Sequence, residues 1–141
     1  MLFPKKIKFR KWQRGRVNPE KLASKTATRG TSVAFGSFGM KATTGARIRS
    51  NQIESVRRVL VRTIGKNGRV WIRIFPDRPW TQKAAEVGMG KGKGDPQGFE
   101  VEVLPGRILY EIEGVPADVA KRAVEKAGKK LPVKVRFVER G

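Results

Sequence analysis

The chain is 141 residues long and carries 32 Lys and Arg against 12 Asp and Glu, a net charge of +20. It has neither cysteine nor histidine, which excludes disulfides, Cys/His zinc sites and Cys- or His-based nucleophilic chemistry. This length fits one domain with an appendage, and so strong a positive charge implies a polyanionic partner, held through its phosphates and released by salt.

The charge is concentrated at the front. Residues 1–53 hold 13 Lys and Arg against one acid, Glu20, whereas residues 99–141 hold 9 against 7. Leu, Ile, Val and Phe divide the other way, with 10 of 36 in residues 1–52. The expected organisation is a basic extended segment over residues 1–30, then a single α+β domain over 31–141 with a protruding loop at 81–97. No run of about 18 apolar residues is present to span a bilayer. No long amphipathic helix in the cationic third offers a lipid surface one basic and one apolar face. A signal peptide is not expected, because Lys5, Lys6, Lys8, Arg10 and Lys11 follow the start at once.

Taken in order, Met1–Arg16 alternates Lys6, Lys8 and Arg10 with Ile7 and Phe9, suiting an extended segment with one basic side. With Trp12 nearby, the segment is expected to be ordered and docked, not a solvated tail. Arg14 and Arg16 extend its charge. Residues 17–30 read as a loop. Residues 31–42 hold Val33, Phe35, Phe38 and Met40 broken by Gly36 and Gly39, a short bulged strand. Lys41, Arg47 and Arg49 continue the cationic surface.

Residues 51–64 predict a helix with Asn51 as its cap and Glu54 completing a capping box. Ile53, Val56, Leu60 and Ile64 line one face, and Arg57, Arg58 and Arg62 lie away from it. Gly65 and Gly68 stop it. Residues 69–75 read as a strand apolar on both sides, and residues 76–80 as a rigid Pro-rich turn ending in Trp80, which with Trp12 is a candidate for base stacking.

The stretch Gly88–Gly94 has four glycines in seven residues, with Lys91 and Lys93 between them and no acid. Glycine permits close backbone approach, and exposed N–H groups beside two ammonium groups suit phosphate. The register fits neither the P-loop nor the dinucleotide pattern, so the phosphate is expected to be a polymer's and no nucleotide cofactor is implied. Residues 99–103 and 108–112 alternate around Pro105-Gly106 and predict a β-hairpin with one apolar face and one acidic face turned from the polyanion. A second helix follows Pro116, burying Ala120, Ala123, Val124 and Ala127, and residues 133–137 form the last strand. Two helices over a mixed or antiparallel sheet make an α+β sandwich.

Eight pieces in this order resemble the ribosomal large-subunit family L-sixteen, shared with archaeal and eukaryotic counterparts. They include Pro4–Lys11 with Gly15-Arg16, Phe35-Gly36-Ser37-Phe38-Gly39, Gln52-Ile53-Glu54 with Arg57-Arg58, Trp71–Asp77, Met89–Gly94 and Pro105-Gly106-Arg107. The resemblance implies an α/β-hammerhead-type fold and a structural role in the large ribosomal subunit, in a cytoplasmic or organelle ribosome. It implies binding to 23S rRNA and contact with A-site and P-site tRNA, with no small-molecule substrate, cofactor, metal or catalytic residue. The rRNA candidates are Lys5, Lys6, Lys8, Arg10, Lys11, Arg14, Arg16, Lys41, Arg47, Arg49, Arg57, Arg58 and Arg62. The tRNA candidates are the loop tip, Met89, Gly90, Lys91, Gly92, Lys93 and Gly94. Gly88 stands where many members of the family carry an arginine, so that cation is missing here. Charge alone also allows a free-standing, chromatin-like nucleic-acid-binding protein. A nuclease would need clustered acids or a positioned base, and the acids here are scattered.

Overall fold

The computed structural model describes residues 1–9, 11, 25–82 and 95–141. Its elements run β1 (Phe38–Ala42), β2 (Ala46–Arg49), α1 (Ser50–Ile64), β3 (Arg69–Ile72), β4 (Arg78–Gln82), β5 (Asp95–Val103), β6 (Ile108–Glu113), α2 (Ala117–Gly128) and β7 (Val135–Glu139). The strands form two antiparallel sheets, one ordered β3-β6-β1-β7 and the other β2-β5-β4. The class is α+β, as the sequence predicts, but the strands divide between two sheets.

Both helices form where apolar residues recur at helical spacing. α1 buries Ile53, Val56, Val59, Leu60 and Ile64, and α2 buries Ala120, Ala123, Val124 and Ala127. The small residues of α2 let it pack closely on α1, β1 and β7. The core between helices and sheets also holds Met40, Leu109, Tyr110 and Ile112. The Tyr110 hydroxyl donates to the Ile53 carbonyl at 2.7 Å, pinning β6 to the first turn of α1, and burial pushes its pKa up. The N-terminus of α1 lies two residues before the expected cap. Arg49 is the flanking residue, and its N–H donates to the Gln52 side chain at 2.9 Å, so Gln52 takes the reciprocal role expected of Glu54.

Three expectations are corrected. Residues 99–112 turn at Pro105-Gly106 but do not form a hairpin. β5 pairs with β2 and β4, whereas β6 pairs with β3 and β1. The reason is burial: Ile108, Leu109, Tyr110, Glu111 and Ile112 are all buried, so β6 needs neighbours on both edges and cover on both faces. Residues 78–80 belong to a strand, β4, because Pro79 sits on the edge of its sheet where a missing N–H is tolerated. β3 ends at Ile72, before the expected Phe75. The expected bulge in β1 is present, as a register shift between Met40 and Lys41.

Residues 27–37 lie along the turn before β6 and along β6 itself. Ala27 N–H donates to the Pro105 carbonyl at 2.9 Å, Ile108 N–H to Gly30 at 2.7 Å and Ser37 N–H to Ile112 at 3.0 Å. Gly36 comes so close that a Cβ there would lie 2.7 Å from the Ile112 carbonyl oxygen, which is why this position takes a glycine.

Candidate nucleic-acid interface

The leading segment is anchored at Leu2. Leu2 packs against the core, and its carbonyl accepts the Ser50 hydroxyl at 2.5 Å beside the start of α1. Beyond it Lys5, Lys6, Lys8 and Lys11 are exposed, and so are Ile7 and Phe9. The expected docking of this segment through Ile7 and Phe9 is therefore not found; apart from Leu2 and the half-buried Pro4 its described side chains face solvent. Lys8 lies over the Phe9 ring at 5.5 Å, so cation and ring are presented together. Arg10, Trp12, Arg14 and Arg16 fall outside the described residues, as do Met89, Gly90, Lys91, Gly92, Lys93 and Gly94.

The ends of that loop are nonetheless fixed. β4 and β5 are register partners from Arg78–Glu100 through to Gln82–Asp95. The chain thus leaves the sheet at Gln82 and returns at Asp95 on the adjacent strand, which makes residues 83–94 the connection of a β-hairpin. Trp80 stiffens its base. Its indole lies across Gly98, where a Cβ would meet Nε1 at 3.0 Å, and the Arg49 guanidinium lies over the ring at 3.9 Å. This ring was a candidate for stacking on a base; in the fold, Arg49 stacks on it.

The remaining cations sit in two settings. On β2, Arg47 lies 3.8 Å from the nearly buried Glu100, and Lys41 on β1 is half-buried. On α1, Arg57 and Arg58 converge on Glu54, with Arg57 Nε 3.0 Å from Oε2 and Arg58 Nε 3.4 Å from Oε1. The hydrogen bond from Arg57 holds the Glu54 carboxyl at about 2, well below the ordinary carboxylate range, and in turn raises Arg57. Arg62 is exposed in the last turn of α1, where a cation complements the helix dipole. Thus Arg58 and Arg62 are presented to solvent, while part of the Arg57 charge is spent on Glu54.

Sequence reasoning missed the most structured charge in the molecule. Glu111, expected on a solvent-facing acidic side of a hairpin, is fully buried. Its Oε1 accepts the backbone N–H groups of Ala34 at 2.9 Å, Phe35 at 2.7 Å and Gly36 at 2.9 Å, and its Oε2 accepts Arg73 Nη1. Burial pushes its pKa up, but the three N–H groups and the guanidinium outweigh burial and leave the carboxyl below its ordinary value. The available signal was a single acid inside the otherwise apolar run of residues 108–112, where only a charge with several donors can be buried.

Among the described residues no three His, Cys, Asp or Glu side chains cluster to hold a metal, and no helix is long and apolar enough to cross a membrane. The chain matches the family model for ribosomal protein L16p/L10e over residues 4–138. It is 55% identical over 140 residues to a Rickettsia rickettsii protein named large ribosomal subunit protein uL16, covering 99% of this chain and 98% of that one. Proteins of the same name from Parabacteroides distasonis and Rhodospirillum centenum are 52% and 51% identical, over 99% of this chain and 93% and 95% of theirs.

Proposed function

The chain belongs to the ribosomal protein L16p/L10e family, and from that premise we propose that it grips 23S rRNA with its exposed cations and extends its Gly/Lys loop toward bound tRNA. As a member of that family it is a structural component of the large ribosomal subunit and not an enzyme. The observation that carries the reading is the extent of the match, which takes in the basic leader and the loop as well as the folded part. In the proposed division of labour, residues 1–30 and the surface of 31–141 serve rRNA, with Lys5, Lys6, Lys8, Arg10, Lys11, Arg14, Arg16, Lys41, Arg47, Arg49, Arg57, Arg58 and Arg62 neutralising phosphates. Such contacts read backbone and shape more than base sequence. Met89–Gly94 serves A-site tRNA and P-site tRNA, in a cytoplasmic ribosome.

The hairpin geometry supports the tRNA half. A loop whose two ends are paired neighbours at Gln82 and Asp95 is aimed by its sheet, and Lys91 and Lys93 add charge without any acid among residues 87–94. The test is a Lys91→Ala/Lys93→Ala double variant incorporated into large subunits. It should enter subunits as the native chain does and weaken tRNA occupancy. Normal occupancy together with a normal rate of peptide-bond formation would remove the loop from this role.

A further inference from the structure

Phe35 and Trp71 form a stacked pair with ring centroids 6.2 Å apart and an interplanar angle of 24°. Two arginines stand over them: the Arg73 guanidinium lies 4.9 Å from the Phe35 centroid, and Arg69 lies 5.8 Å from that of Trp71. Despite these neighbours, Phe35 remains 55% exposed, which leaves ring area for a further planar group. Trp71 and Arg73 also line a groove of about 720 Å³, with Arg107 and the carboxylates of Asp77 and Glu102; Phe35 lies outside it. That volume lies within the ~300–1,000 Å³ typical of ligand clefts.

A phenyl ring left in water loses the free energy of burial, so its placement needs a cause. Here the cause is Glu111. One of its oxygens collects the N–H groups of Ala34, Phe35 and Gly36, which fixes the backbone that presents the ring. The other oxygen binds Arg73, which fixes the cation laid over the same ring. One buried carboxylate thus sets both halves of an exposed aromatic and cationic surface. Its charge is matched by those four donors, so Arg69 at the start of the edge strand β3 is the cation more available to a phosphate. The facing acid in the ladder is Glu113, its register partner.

We infer that Phe35 and Trp71 are a stacking platform for one unpaired ribonucleotide, with Arg69 and Arg73 beside it and Glu111 as the positioning residue. The inference rests on the ribosomal reading and adds to it a site that the charge pattern did not indicate. The ligand chemistry follows from the surface. Base–aromatic stacking needs no particular base and is reinforced by arginine. An acidic peptide would satisfy the arginines but would not use the exposed ring face. The nucleotide could belong to rRNA or to tRNA, and the experiment separates them.

The test uses large subunits carrying the full chain as native protein or as Phe35→Leu, Trp71→Leu or Glu111→Gln. Base reactivity of the RNA is mapped nucleotide by nucleotide, without and with tRNA. Phe35→Leu and Trp71→Leu should each raise the reactivity of the same single nucleotide by at least about fivefold, the lower bound for a lost stack. A change in tRNA-free subunits assigns the base to rRNA; one seen only in tRNA, when it is bound, assigns it to tRNA. Glu111→Gln should expose that same nucleotide and no other, whereas a general loss of protection would make Glu111 merely structural. As a measure independent of variant folding, ultraviolet irradiation of native subunits should leave a nucleotide adduct on the peptide containing Phe35 or Trp71. Native particles with no such adduct and variants with unchanged reactivity would overturn the platform while leaving the ribosomal role intact. Failure of the native chain to enter subunits would overturn that role itself.

Discussion

In the four-stranded sheet, the carboxylate at the middle of β6 is fully buried and takes four donors, three of them backbone N–H groups. In the three-stranded sheet, Glu102 on β5 is exposed and meets Arg78 at 3.3 Å, while the nearly buried Glu100 lies 3.8 Å from Arg47. Both sheets thus carry Arg–Glu pairs, the first through Arg73 just beyond the end of β3, but water reaches them differently. A surface pair exchanges solvation for a screened attraction and gains little. A buried carboxylate has lost its water, so each donor it collects replaces hydration, and removing the acid strands every donor at once. The lesson is that the first sheet uses a carboxylate with four donors to fix a loop's conformation, whereas the second meets its acids with arginines, Glu100 out of water and Glu102 in it, in a sheet held by its ladder and by Trp80.

The sharpest break of this comparison is Glu111→Ala. It leaves three backbone N–H groups and one guanidinium without their acceptor, and should cost about 3–5 kcal/mol, the usual penalty for breaking a buried pair. With a urea slope of about 1–3 kcal/mol per molar for a chain of this size, the unfolding midpoint should fall by about 1 M or more. A loss below about 1 kcal/mol would place Glu111 among ordinary surface pairs and dissolve the contrast.

The helices were legible because their signal is local. The apolar positions 53, 56, 60 and 64 and the alanine stripe of α2 lie on one face at 3.6-residue spacing wherever the helix packs. The pairing of strands was not legible, since alternation assigns faces but not neighbours. Residues 99–103 and 108–112 alternate as a hairpin would, yet the apolar load of β6 on both sides sends it to the centre of another sheet. The exposed arginines of α1 could be read from its wheel, but the convergence of Arg57 and Arg58 on Glu54 needed geometry. The cover of Trp80 by Arg49 could not be foreseen either, because the two lie on the outer strands, flanking β5. The Glu111 cradle joins positions more than seventy residues apart, beyond any window of local pattern.

A second experiment sharpens the comparison through acid. Glu111 and Glu54 both have carboxyls held below the ordinary value in the fold. Each therefore contributes stability that is complete above the unfolded carboxylate value, near 4.5, and is lost as pH falls through the folded one. For Glu54 that window runs from about 4.5 down to about 2. Protonation also raises a net charge already at +20 and so increases self-repulsion. Urea midpoints should fall between pH 5 and pH 3. Glu54→Gln and Glu111→Gln should each flatten that fall, since each removes a carboxyl held below its ordinary value. A fall left unchanged by either variant would remove that carboxylate from the acid response.

The smallest effect tests the other side. Glu102→Gln removes the acid from a solvent-exposed pair on the central strand of the sheet that carries the Gly/Lys loop. The change should cost no more than about 0.5 kcal/mol at low salt, and less at 0.5 M salt, where the screening length falls to a few ångströms. The β4–β5 ladder is held by backbone groups, and the seat of Trp80 on Gly98 does not involve Glu102, so both should survive it. Tryptophan emission in the native state should then match that of the unsubstituted chain. A cost above about 1.5 kcal/mol, or a shifted emission, would mean that the hairpin relies on its surface charges to hold its base. The loop would then be aimed by electrostatics that the surrounding polyanion could override, and no longer by the sheet alone.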